Sequence, residues 1–266
     1  MANVVQVNTW EECEDKIRQL EASNGSKDQQ VLFRGQADAK WPLKTTLERL
    51  QSEVDVVKYY RLIMRIRHEI GNYSQRDWKL PSLSTITGWS KDYDKFALKQ
   101  LPAYSYMVNL RHNGFPSSLL DWTDSPYIAA YFAFAEKTDA INVSIYAYFE
   151  AKPGTKVRSS DKPQIFRLGH YVSAHRRHFR QRSIYTYCAR WNASGAVFVS
   201  HQDVLNERGP RSDSLWKIEI PASERRKVLA LLDRFNLNAF SLFDSEESLM
   251  QTLAFREIDS KEHSLS

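Results

Sequence analysis

The chain is nearly free of cysteine. Cys13 and Cys188 are the only two in 266 residues, too few for a disulfide framework or a zinc site. Cys188 lies in an apolar run and reads as structural. Long apolar runs are also missing. The opening segment, MANVVQVNTWEECEDK, is acidic and holds nothing of signal-peptide type. No stretch approaches the roughly 18 uninterrupted apolar residues of a membrane span. The expectation is a soluble, cytoplasmic protein with no membrane contact. Several catalytic signatures are absent too. There is no G-x-x-x-x-G-K-[ST], so no P-loop, and no G-x-G-x-x-G, H-E-x-x-H or G-x-S-x-G.

What is present is enough to fold. An apolar fraction of 42% with 12% aromatics excludes a disordered chain. No composition shift marks a linker, so a single domain over 1–266 is expected, with its core at about 30–253. The net charge is +5, but it is unevenly placed. Between Thr155 and Arg190, nine Lys and Arg face only Asp161, a local net charge of +8, and the remainder sums to −3. That segment is the obvious landing place for phosphate, and its charge is expected to form one wall of a ligand pocket.

Periodicity predicts a helix from Trp10 to Leu20 capped by Asn8-Thr9, and a short buried strand from Gln30 to Gly35. A long helix is expected over Thr46–Tyr73, then a Ser/Thr-rich loop over Pro81–Ser90. A helix over Asp92–His112, kinked at Pro102, ends at the breaker Asn113–Pro116. Residues 121–125 read as a loop feeding a helix over Asp124–Glu136, with Pro126 near its first position. The second half shows β-type runs at Val143–Phe149, Ser183–Cys188, Ala196–Val199 and Leu215–Ile220. Helices over Pro221–Phe235 and Ser245–Phe255 close the chain. The pattern is α+β: a helix-rich N-terminal half packed on a small, mostly antiparallel sheet.

Three groups could carry chemistry. Phe33-Arg34-Gly35 ends a strand in a guanidinium that suits phosphate, followed by a glycine that permits close backbone approach. It could equally be a salt-bridged Arg beside a turn. Asp121, Thr123 and Ser125 precede a helix N-terminus, which favours anions, and Trp122 offers a ring for stacking. The same residues also make an ordinary cap with a core tryptophan. His170 to Thr186 mixes histidines, arginines and aromatics. Arg176 and Arg177 oppose a cation there, so phosphate or nucleic acid is the better partner than a metal.

Together these residues resemble the FRG domain family. Phe33-Arg34-Gly35 matches its aromatic-Arg-Gly motif. His112, Gly114, Pro116, Leu119, Leu120, Asp121, Trp122, Thr123, Ser125 and Pro126 match its second signature, and Ala129 and Phe132-Ala133 its continuation. Gln181, Ser183, Tyr185 and Thr186, and then Leu242-Phe243 through Glu247, match its later motifs. Three departures stand out. Ser118 occupies the place of an arginine before the Leu-Leu pair, Asn113 that of a bulky aromatic, and Asp244 that of a proline after Leu-Phe. Such domains occur in bacterial and phage genomes near mobile or defence genes, which implies a toxin or antiviral-defence effector from a prophage-like setting, with an antitoxin or defence-system partner.

A second, weaker resemblance is to ADP-ribosyltransferases of the Arg-Ser-Glu type, whose fold the sheet would then share. It implies NAD as the ligand, with no metal. Arg34, with Phe33 and Gly35 beside it, would hold the pyrophosphate, and Asp121, Trp122, Thr123 and Tyr185 would line the pocket. Ser125 would anchor the nicotinamide ribose. Where a Gln/Glu-x-Glu motif belongs the chain reads Gln181-Arg182-Ser183, so the carboxylate would be Glu247, with Glu219 a weaker choice. On this reading the chain transfers ADP-ribose to a nucleic-acid or protein target, or hydrolyses NAD. The alternatives are a non-catalytic nucleotide- or nucleic-acid-binding module using residues 155–190, and a pure protein-interaction module.

Overall fold

The architecture was obtained as a computed structural model, which describes residues 2–23, 30–93, 101–151, 162–169, 176–206 and 213–261. Much of the basic segment, including Lys156, Arg158, His170 and His175, lies outside the described residues. The fold is α+β, around a nine-stranded, mostly antiparallel sheet. Its strands are β1 (Asn3–Gln6), β2 (Leu32–Gln36), β3 (Val54–Asp55), β4 (Leu120–Thr123), β5 (Asn142–Phe149), β6 (Gln164–Leu168), β7 (Ser183–Asn192), β8 (Gly195–Phe198) and β9 (Ser214–Pro221). They run in the order β1-β9-β5-β2-β4-β7-β8-β3, with β6 also paired to β7. Among the described strands, only β1 and β9 pair in parallel.

The described helices are α1 (Trp10–Ser23), α2 (Val56–Arg65), α3 (Arg67–Ser74), α4 (Leu83–Lys91), α5 (Tyr104–His112) and α6 (Pro126–Phe134). They continue with α7 (Arg176–Arg180), α8 (His201–Asn206), α9 (Arg225–Arg234), α10 (Ala239–Phe243) and α11 (Glu246–Ala254). None is long and apolar enough to cross a membrane. The helix expected over Thr46–Tyr73 is broken. Asp55 intervenes and caps α2, its carboxylate accepting from the Lys58 amide at 2.8 Å. The loop expected over Pro81–Ser90 is mostly helix. Ser82 caps α4 by accepting from the Thr85 amide, and Ile86 and Trp89 form its buried stripe. Ser82 serves as the cap, Ser84 and Thr85 lie on the exposed face, and Ser90 is buried. The loop expected before α6 holds strand β4, and the sheet is larger than expected, because β1, β3, β4 and β6 are short.

Alternation along β7 sorts the core. Tyr185, Tyr187 and Ala189 face a cluster built by α2, α4 and α5, while Ile184 and Cys188 face a second cluster with Leu32, Trp122 and Tyr148. A third cluster joins α1, α6 and α9 to Phe33, Ile145 and Ile218. The seam between the first and third clusters falls between β2 and β4. β2 has five register pairs with β5, and β4 has four with β7. Between β2 and β4 there is one, Phe33 with Thr123. Beyond it the two strands part, and the sheet opens.

Candidate functional site

The opening is a cleft of about 140 Å³, with Arg34 and Asp121 on its floor. The Arg34 Nη1 donates to the Asp121 carbonyl oxygen at 2.8 Å and lies 2.9 Å from its Oδ1. Parting of the strands freed that carbonyl from the ladder, and the guanidinium takes the place of the missing strand partner. A second arginine reaches the same carboxylate. Arg111, near the end of α5, donates from Nη2 to Asp121 Oδ1 at 2.6 Å. Burial alone would raise the Asp121 carboxyl. Arg111 and Arg34 override it and hold the group well below the usual carboxylate range. Asp121 is therefore a fixed anion and is unsuited to act as a base.

Arg34 spends only Nη1 on this clamp. Its side chain is 13% exposed, its Nε is buried with no partner, and its Nη2 has none among the described residues. The donors turned away from Asp121 are thus left in a partly desolvated cleft, where a second anion would be attracted strongly. Gln36, two residues on along β2 and also lining the cleft, is 4% exposed with its Oε1 unpaired.

Gly35 serves the helix above. A Cβ there would overlap the Ala129 carbonyl oxygen and stand 2.5 Å from the Ala133 nitrogen. The close approach anticipated from the motif is thus made by the backbone of α6. That helix is capped as the sequence suggested: Ser125 Oγ accepts from the Ile128 amide at 3.3 Å, and Pro126 fills the first turn. Thr123 Oγ1 accepts from the Ser125 amide at 3.2 Å.

The expected site residues separate into two sets. Phe33, Arg34, Gly35, Asp121, Trp122, Thr123, Gln181 and Ser183 all line the cleft. Ser125, Tyr185 and Glu247 do not. The Ser125 hydroxyl is committed to its cap. Tyr185 is fully buried, its hydroxyl 2.7 Å from His112 Nε2, and its ring stacks on His178. Glu247 lies exposed in the first turn of α11. Glu219 is on β9, paired with Lys217 at 2.7 Å. Trp122 borders the cleft, but its ring is a core ring, packed on Tyr148 at 5.4 Å between centroids. Behind it runs a buried chain: Trp122 Nε1 donates to Thr186 Oγ1 at 2.8 Å, which is 2.9 Å from His201 Nε2, and His201 Nδ1 is 2.8 Å from Glu48 Oε1. Trp122 is thus a wall and is closed to stacking.

Three further lining residues are ones that no motif singles out. Trp41 is 44% exposed at the rim and supplies the accessible ring that Trp122 does not. Arg49 is exposed, with no side-chain partner among the described residues. Glu136, just past α6, is an exposed and likewise unpartnered carboxylate. None sits in a motif. Trp41 and Arg49 lie in the irregular segment between β2 and β3, where periodicity gives no direction to a side chain.

Among the described residues of the basic segment, no Lys or Arg lines the cleft. Of its residues, Gln181 and Ser183 line it, and Gln181 is tied to the later motif by donating to the Leu242 carbonyl at 3.4 Å. Three of the segment's described arginines pair elsewhere. Arg180 lies 2.8 Å from Asp244, Arg182 2.5 Å from Asp124 and Arg190 2.7 Å from Glu53. Among the described residues, the cations that line the cleft are Arg34 and Arg49. Asp244, where the family pattern has proline, adopts φ +53°, which proline cannot. Ser118 is buried with an unpaired hydroxyl.

No curated protein and no solved structure matches the chain. The model of the FRG domain matches residues 29–141. That stretch contains Arg34, Gly35, Arg111, Asp121 and α6, the parts that meet at the seam, and over it the chain is similar to the FRG domain.

Proposed function

We propose that the Arg34 cleft binds the phosphate-bearing part of a nucleotide of the NAD class, and that the chain consumes NAD as an ADP-ribosyltransferase-like or NAD-hydrolysing effector. The observation that carries the binding step is the half-used guanidinium: Nη1 anchored on Asp121, the remaining donors unpaired in the cleft. Anchoring on one side fixes the plane of the fork before ligand arrives, which lowers the ordering cost of binding. Arg49 adds a second cation and Trp41 a ring. The ADP-ribosyl reading needs a carboxylate at the reacting ribose. Glu136 lines the cleft and is unpaired, and is the better choice than Glu247.

Isothermal titration with ADP-ribose and NAD tests binding, and loss of NAD over time tests turnover. Arg34→Ala should weaken ADP-ribose binding at least tenfold. Glu136→Gln should bind NAD but stop its consumption. Equal binding by wild type and Arg34→Ala would remove the reading.

A second reading is nucleic-acid docking on residues 155–190. One observation favours it: Arg176 and Phe179, three apart on α7, have side chains turned to solvent, with Phe179 85% exposed. It predicts a steep salt dependence that Arg176→Glu flattens.

A further inference from the structure

A second cavity adjoins the cleft. It is a groove of about 710 Å³ between α6, α9 and the helices from Ala239 to Asp259. Phe132 and Glu136, one turn apart at the end of α6, line both. The partition between cleft and groove is therefore no thicker than this pair of side chains.

The volumes matter. Pockets that enclose a drug-sized ligand run to roughly 300–1,000 Å³. A cleft of about 140 Å³ holds one small group such as a phosphate or a sugar, and no whole nucleotide. The groove has the missing space, and its lining indicates what would fill it. Tyr131, Phe243 and Phe255 give it aromatic walls, and Phe132 meets Phe243 edge-on at 6.0 Å. Apart from Glu136 at the junction, its charges are mutually satisfied. Arg225 lies 3.3 Å from Asp259, Lys137 2.6 Å from the same carboxylate, and Asp233 2.8 Å from Arg256. The groove thus favours a flat, uncharged ring, while the cleft favours an anion.

We infer that cleft and groove are one bipartite site for a two-part ligand, its phosphate on Arg34 and an aromatic ring beyond Phe132 among Phe243 and Phe255. This rests on the proposed phosphate-binding reading of Arg34 and adds the ligand's length and its second half. Glu136, at the junction, then faces the middle of the ligand, where a sugar would lie.

Titration calorimetry with ribose 5-phosphate, ADP-ribose and NAD separates the two ideas. ADP-ribose and NAD should bind at least tenfold more tightly than ribose 5-phosphate. Ala254→Trp, at an exposed position on the groove, should remove that gain and leave ribose 5-phosphate unchanged. Gln251→Trp, also exposed and on the groove, is the second variant should the first fold poorly. Equal affinity for the short and long ligands, or long-ligand binding untouched by both tryptophans, overturns the bipartite site while leaving Arg34 as a phosphate residue. No binding of any of the three ligands would sink both ideas.

Discussion

Two groups of arginines differ in how their charge is balanced. Arg34 and Arg111 share one carboxylate, Asp121. Arg180, Arg182 and Arg190 each lie beside a different acid, Asp244, Asp124 and Glu53. The first arrangement leaves one positive charge uncompensated inside a cleft, and Arg49 adds another at its rim. The second leaves each pair near neutral on the surface. Arg180, Arg182 and Arg190 are thus balanced one to one, whereas Arg34 and Arg111 keep an excess of positive charge. What attracts an anion is the excess of guanidinium over carboxylate at one point, together with partial burial.

The largest effect should come from closing the space that lets the seam form. Gly35→Ala drives a methyl group into the backbone of α6, and helical backbone cannot turn aside as a side chain can. A loss of about 3 kcal/mol is expected, at the upper end of overpacking costs. Urea denaturation would measure it, and ligand binding should fall in parallel because Arg34 is on the same strand. A variant as stable as wild type would mean that α6 lifts away from β2 freely.

Removing the shared carboxylate should have a smaller effect. Asp121→Asn leaves two guanidinium groups close together without their anion. Breaking such a pair in full burial costs about 3–5 kcal/mol. The Asp121 side chain keeps 38% exposure, so about 1–2 kcal/mol is expected after solvent screening. The pH dependence has a definite sign. The folded carboxyl is held below its ordinary value, so its contribution is fully present above the unfolded pKa of about 3.9 and declines as pH falls below it. The difference in urea midpoint between wild type and Asp121→Asn should shrink from pH 7 to pH 3. A constant difference would show that the clamp does not depend on charge.

The same contrast explains what could be read in advance. Helix α1, β2, the Ser125 cap of α6 and the long strands β5, β7 and β9 follow from period and punctuation, because each buries a regular stripe. The meeting of Arg34 with Asp121 to Thr123, and of both with Gln181, followed from motif order. Arg111 was not legible. It belongs to a helix whose other residues fix its register, and its side chain acts across a tertiary gap to Asp121. Trp41 stands outside regular elements, Arg49 and Glu136 fall in stretches expected as helix that the fold leaves irregular, and no motif singles out any of the three. Glu247 is singled out by motif order alone, and its backbone belongs to the exposed first turn of α11.

The smallest effect tests the other side of the comparison. Arg190 is 35% exposed and its partner Glu53 49%, and both Oε atoms of Glu53 accept from the same Nη2, at 2.7 and 2.8 Å. One nitrogen on two oxygens lacks the parallel fork of a strong bidentate pair. Exposed pairs contribute about 0.2–1 kcal/mol, so Arg190→Ala should cost at most that. It should leave affinity for ADP-ribose within twofold, because the charge it removes was already balanced. A tenfold loss of binding in Arg190→Ala would mean that the basic segment acts on the ligand as a whole. The division between shared and singly paired arginines would then not be what selects the site.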